Sequence, residues 1–144
     1  MSFKGFKKMG VGLDGSEPGF RALKEVLDLA QKFGAEVVAL HVLPMPVDIS
    51  ELGGAVVELE GQLRTQAEAI LSRAEDEAKK AGVSFKAVVL SGSPAETLAE
   101  YAKKEGFDLL AVGYQGRSRI AELFMGSVTS KLLALSEVPL LVVK

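Results

Sequence analysis

The chain has 144 residues, 48% of them hydrophobic and 25% charged, and this composition fits one globular domain, residues 1–144, with a substantial core. A formal net charge of −2 argues against the basic surface of a nucleic-acid-binding protein, and the lack of cysteine excludes disulfides, thiolate zinc sites and thiol catalysis. Because the sequence has no apolar signal core and no run of about 18 apolar residues, we expect a cytoplasmic protein that binds neither nucleic acid nor membranes.

Short apolar runs alternate with amphipathic stretches along the chain, a pattern typical of alternating strands and helices. The first strand is predicted at Met9–Asp14. A helix then begins after a serine cap at Ser16 and ends at Gly34. The second predicted strand, Glu36–Leu43, is almost continuously apolar, as expected of a strand that helices cover on both faces.

The next predicted elements are a long helix from about Val56 to Ala81 and a third strand at Phe85–Leu90. Ser93, Pro94 and Glu96 then combine a serine cap, a proline in the first turn and the glutamate of a capping box. This combination predicts the start of a third helix.

That third helix is predicted to end at Gly106, and a fourth strand follows at Asp108–Gly113. A last helix begins at Gly126-Ser127 and leads to a fifth strand at Pro139–Val143. Five strands joined by four helical connections predict an α/β fold, namely a single doubly wound domain whose five-stranded parallel sheet carries helices on both faces.

Glycines cluster after the fourth strand, with Gly113 and Gly116 preceding the pair Gly126-Ser127. Glycines let backbone N–H groups approach an anion, and the start of a helix adds its positive end, so the spacing indicates a phosphate cradle. The alternative is that these glycines form a strand-to-helix turn and a helix cap, which serve the fold alone.

Charged side chains flank the predicted cradle. Arg117 and Arg119 are the nearest cations. Asp14 ends the first strand, where its carboxylate could accept hydrogen bonds from ribose hydroxyls, as the acidic residue of dinucleotide folds does. The same residue could instead form an Asx-turn before Gly15-Ser16, and the two roles are compatible.

A second glycine pattern, Gly10-x-Gly12-x-x-Gly15, matches the dinucleotide fingerprint. That fingerprint must follow a strand, whereas the preceding segment contains Lys7 and Lys8 and too few apolar residues. We therefore place Gly10 and Gly12 inside the first strand, where a missing side chain permits close packing, and we do not expect NAD to bind.

The motifs together resemble a universal stress protein domain over essentially the whole chain. The resemblance rests on the cradle, on the opening Val11–Ser16, on His41-Val42, on Asp108–Gly113 and on the ending Val138–Val143. It implies the strand order 3-2-1-4-5, with Asp14 and Gly113 facing one crevice. Within that family, G-x2-G-x9-G-(S/T) marks the branch associated with ATP binding.

This resemblance also implies roles for individual residues. Asp14 would hold the ribose, the backbone of Val42 would read adenine, and the phosphates would meet the cradle with its neighbours, which are Gly113, Gly116, Arg117, Gly126, Ser127, Val128 and Thr129. Tyr114 departs from the smaller residue that relatives often have, so its ring could crowd the pocket. Magnesium or manganese would be held mainly by the phosphates of ATP, without a metal site made by protein side chains.

No catalytic residue is predicted, because the chain lacks a P-loop and any kinase motif set, and the single histidine, His41, reads as a packing residue. The expected function is a regulatory ATP-binding stress protein with slow hydrolysis at most. One alternative is a stress protein that acts through an unknown protein partner without binding nucleotide, and a further one is a weak ATPase or phosphotransferase.

A homodimer through the C-terminal edge strand is also expected.

Overall fold

The computed structural model describes residues 5–44, 54–115 and 125–144. Strands and helices alternate through these ranges, in the order β1 (Lys8–Gly12), α1 (Glu17–Phe33), β2 (Glu36–Leu43), α2 (Gly54–Ala81), β3 (Phe85–Ser91), α3 (Pro94–Glu105), β4 (Leu109–Gly113), α4 (Ser127–Leu135) and β5 (Leu140–Val143). Every predicted element is present, and β1 is the one whose end differs most, because the chain leaves the sheet after Gly12 rather than after Asp14.

The five strands form one parallel sheet in the order β3-β2-β1-β4-β5, which confirms the predicted α/β fold and its strand order. Two apolar clusters fill the space on either side of the sheet. One packs α1 and α2 against the sheet, and the other packs α3 and α4 against the opposite face. None of the helices among the described residues combines the length and the apolar character that crossing a bilayer requires.

Gly10 and Gly12 lie inside β1, as predicted. A Cβ atom on Gly10 would overlap the ring of Phe107, and one on Gly12 would lie 3.1 Å from a methyl group of Leu98. The glycines of the false dinucleotide fingerprint therefore serve packing between the sheet and the α3 side of the domain.

Helix capping agrees with the sequence at α1 and differs at α3. The Ser16 hydroxyl accepts a hydrogen bond from the Gly19 amide at 3.4 Å, and Gly34 ends α1 with a φ of 68°. Ser93 stands at the N-cap of α3, but its side chain makes no capping bond, so the predicted capping box with Glu96 is wrong. Both side chains are exposed, and water can replace the reciprocal bonds.

Candidate functional site

A cavity lies where β1 and β4 separate. The two strands are paired from Met9 and Leu109 as far as Val11 and Ala111, after which β1 leads into α1 and β4 leads toward α4. This is the point at which the strand order reverses, and ligands of open α/β sheets bind at the carboxyl ends of the strands there. A cavity of about 330 Å³ occupies the crevice.

The cavity has an apolar part and a polar part. The apolar side chains that line it come from β2, from β4, from the residue after β1 and from α3 and α4, namely Leu13, Leu40, Val42, Pro94, Leu98, Val112 and Val128. Its polar side chains are Asp14, Ser16, Gln115, Ser127 and Thr129, and its glycines are Gly12, Gly19, Gly113 and Gly126. Such a surface suits a ligand with a flat apolar portion and a polar or anionic portion.

Asp14 lines this cavity and also organises the turn into α1. Its Oδ1 accepts a hydrogen bond from the Ser16 amide at 2.9 Å, which is the Asx-turn considered from the sequence. The carboxylate is half-buried at the carboxyl end of β1. Asp14 therefore forms the Asx-turn and also lies at the cavity.

The first turn of α4 presents backbone N–H groups at the cavity. Gly126 is the N-cap, and its carbonyl accepts the first helical bond from the Ser130 amide at 2.9 Å. The amides of Ser127, Val128 and Thr129 precede that bond, and no acceptor pairs with them among the residues that the structure describes. Three unpaired donors at the positive end of a helix form an environment suited to an anion.

Gly113 has a structural reason to be glycine. A Cβ atom at this position would lie 2.7 Å from the Gly19 nitrogen and 2.7 Å from the carbonyl carbon of Pro18. The first turn of α1 therefore packs directly on the end of β4. Gly113 lines the cavity as well, so its position satisfies both the ligand interpretation and the fold interpretation made from the sequence.

Thr129 anchors α4 to the sheet. Its hydroxyl donates a hydrogen bond to the Gly113 carbonyl at 2.8 Å, and the residue is only 4% exposed. The contact with phosphate that the resemblance implies for Thr129 is one made at the helix start, and the hydroxyl proton is used inside the protein. Its backbone amide remains among the donors of the α4 first turn.

His41 makes a contact that the sequence analysis missed. Its Nδ1 lies 2.7 Å from the Leu13 carbonyl oxygen, and because a carbonyl can only accept, Nδ1 carries the hydrogen. The side chain is half-buried and does not line the cavity. The motif His41-Val42 was visible in the sequence, but nothing local indicates that the ring reaches Leu13.

Tyr114 does not crowd the pocket. Its amide donates to the Val143 carbonyl at 2.7 Å, and the Lys144 ammonium lies 5.0 Å from the centre of its ring. Gln115 lines the cavity instead, and no sequence signal singled it out. The remaining predicted site residues, Gly116 and Arg117, lie outside the described residues, as does Arg119.

Metal-binding side chains were also sought in ranges 5–44, 54–115 and 125–144. Those ranges bring together no group of three or more histidine, aspartate or glutamate side chains that could hold a metal ion.

Comparison with known proteins identifies relatives over nearly the whole chain. The sequence model of the Universal stress protein family matches residues 5–144. The universal stress protein YxiE of Bacillus subtilis is 33% identical over 147 aligned positions, which cover 96% of this chain and 99% of that protein.

Solved structures show the same architecture. The structure of protein MJ0577 of Methanocaldococcus jannaschii matches with a TM-score of 0.83 and 30% identity, over 96% of both chains. A universal stress protein crystallised in complex with cAMP matches with a TM-score of 0.72 and 28% identity, over 98% of both chains.

Proposed function

This chain belongs to the universal stress protein family, and from that membership and the geometry of its cavity we propose that it is a stress protein that binds an adenine nucleotide, with ATP as the expected ligand. The observation that carries the proposal is the convergence on one cavity of the Asp14 carboxylate and the amides of the α4 first turn. A relative that is 28% identical was crystallised with cAMP, which supports the adenine nucleotide class.

Each part of a nucleotide has a matching part of the cavity. The apolar wall that includes Leu40, Val42 and Pro94 suits the base, because burial of a flat aromatic ring favours apolar contacts. Asp14 is placed to accept hydrogen bonds from ribose hydroxyls. The donors at the start of α4 suit the phosphates. Gly116 and Arg117 are proposed as further phosphate contacts on the family resemblance alone.

The chemistry proposed for the site is binding, with slow hydrolysis at most. His41 does not line the cavity, and Asp14 is the one carboxylate among its described lining residues. Phosphoryl transfer needs a held metal and a positioned nucleophile, and these residues supply neither. Magnesium or manganese would arrive with the nucleotide and be held mainly by its phosphates.

The proposal is tested by isothermal titration with Mg-ATP. We expect the wild-type chain to bind with a micromolar or lower Kd, and we expect Gly126→Val to weaken binding by about tenfold or more, since it adds a branched side chain beside the α4 amides. Gly126 has φ −64° and ψ 154°, so valine fits its backbone. Gly113→Val is unsuitable, because its side chain would displace α1.

The matched control is Gly61→Val on α2, where an added Cβ meets no atom within 4 Å. It should bind Mg-ATP as tightly as the wild type, and thermal melts should show that all three proteins are folded. Undetectable binding by the wild type, or equal binding by Gly126→Val, would contradict the proposal.

A second candidate is a stress protein that acts through a protein partner without binding nucleotide. The packing of Gly113 against Pro18 and Gly19 favours it, because this glycine is explained by the fold alone. It requires that freshly purified protein release no nucleotide when its bound small molecules are examined by mass spectrometry. Recovery of stoichiometric adenine nucleotide would eliminate it.

A further inference from the structure

The hydrogen-bond ladder between β1 and β2 is interrupted at the cavity. Glu36 donates to the Lys7 carbonyl at 2.9 Å, and Leu13 donates to the Leu40 carbonyl at 2.8 Å. In a parallel ladder of this register, the next bond would run from the Val42 amide to the Leu13 carbonyl. That bond is absent from the described residues, and the Leu13 oxygen accepts from His41 Nδ1 instead.

The interruption leaves a backbone donor at the cavity wall. Val42 lines the cavity, and no acceptor within the described part of the chain pairs with its amide. Side chains alternate along β2, so the His41 ring and the Val42 side chain lie on opposite faces of the sheet. The ring donates its hydrogen bond to the Leu13 carbonyl without lining the cavity. The ring thereby bonds to the carbonyl that a regular ladder would pair with the Val42 amide.

We infer that His41 is a positioning residue, whose Nδ1–H holds the Leu13 carbonyl away from Val42 so that the Val42 amide stays available to an acceptor atom on the edge of a bound base. This inference rests on the proposed function and assigns the donor to N1 of adenine, the ring acceptor of its pairing edge. Val42 is half-buried at the cavity wall, so its amide can bond to an acceptor atom of a ligand in place of water.

Two substitutions separate this role from simple packing. His41→Leu removes the donor and keeps an apolar side chain of moderate size. His41→Asn keeps an N–H donor on an atom attached to Cγ, the same position as Nδ1. Gln31→Leu is the matched control, because Gln31 Nε2 also donates to a backbone carbonyl, that of Ala81, at 2.8 Å, in a contact between α1 and the end of α2.

The first measurement needs no ligand. Hydrogen exchange of the Val42 amide, followed by NMR, should slow about tenfold or more in His41→Leu, because the amide can then bond to the released Leu13 carbonyl. His41→Asn and Gln31→Leu should leave the exchange near the wild-type rate. Equal exchange in His41→Leu and the wild type overturns the inference, whatever the protein binds.

The second measurement compares ATP with 1-deaza-ATP, in which a C–H group replaces the N1 acceptor. The wild type should prefer ATP by about tenfold, the affinity equivalent of one net hydrogen bond, and this preference should disappear in His41→Leu and largely return in His41→Asn. A variant that weakens both ligands equally would indicate a structural role and overturn the inference. Failure of the wild type to bind either compound would instead contradict the proposed function.

Discussion

At the level of single residues, glycines that look equivalent in the sequence have different physical roles. Gly10 and Gly113 lie where a side chain would meet another part of the protein, whereas Gly126 has an ordinary backbone conformation at a helix cap facing the cavity. Substitutions at the first two therefore test packing, and a substitution at Gly126 tests the site. The cradle pattern treats Gly113 and Gly126 as equivalent, although the structure gives them different roles.

Gly10→Ala should destabilise the ligand-free protein by about 1–3 kcal/mol, the usual cost of forcing an extra group into a packed core. The cause is overlap of the new methyl group with the Phe107 ring. Urea denaturation measures the loss, and Gly61→Ala, which meets no neighbouring atom, should show none. Adding Phe107→Leu to Gly10→Ala should recover part of the lost stability, because a smaller side chain then faces the new methyl group. A Gly10→Ala protein as stable as the wild type would contradict the packing argument.

At the level of elements, two helices begin with the same residue types and are capped differently. Ser16 caps α1 with its side chain, whereas Ser93 caps α3 with its backbone alone, through a bond from the Thr97 amide to the Ser93 carbonyl at 2.9 Å. The sequence pattern at Ser93 is the stronger of the two, since it includes Glu96. Local pattern therefore located both helix starts but did not determine the capping bonds.

Ser16→Ala should lower the free energy of unfolding by about 1 kcal/mol, the typical contribution of a capping hydroxyl. Ser93→Ala should change it much less, because no side-chain bond is lost. Chemical denaturation of the two ligand-free variants gives the comparison. Equal losses would mean that Ser93 caps α3 in solution.

At the level of the whole molecule, helices cover both faces of the sheet and its edges are β3 and β5. The carbonyls of Pro139 and Val143 accept hydrogen bonds from β4 and from the residue after it. Successive residues of a parallel strand bond alternately to one side and the other, so the N–H groups of Leu140 and Val142 point away from β4. An apolar edge with outward donors can pair with a second copy. We propose that a homodimer forms through β5.

Val142→Pro should convert this dimer to a folded monomer, since proline removes an outward N–H and is tolerated on an edge strand. Val142→Thr keeps the N–H and the branched shape, and it should remain dimeric. Light scattering at micromolar concentration distinguishes the states. A monomeric wild type, or a dimeric Val142→Pro protein, would contradict pairing through β5.

Sequence patterns were sufficient to predict the elements, their order along the chain and the fold class, because apolar periodicity, helix caps and turn glycines are properties of neighbouring residues. Its motifs also identified the family, and with it the strand order and the crevice. Seven of the nine residues predicted for the site line one cavity, and the other two, Gly116 and Arg117, lie outside the described residues. The seven are Asp14, Val42, Gly113, Gly126, Ser127, Val128 and Thr129.

The roles of those residues became visible in the three-dimensional structure. It placed His41 against Leu13, directed the Thr129 hydroxyl at Gly113, turned the Tyr114 ring toward Lys144, and brought Gln115 to the cavity. His41 and Leu13 are 28 positions apart, and Thr129 and Gly113 are 16 apart. Such contacts depend on how strands and helices pack at the divergence of β1 and β4, and no local propensity encodes that geometry.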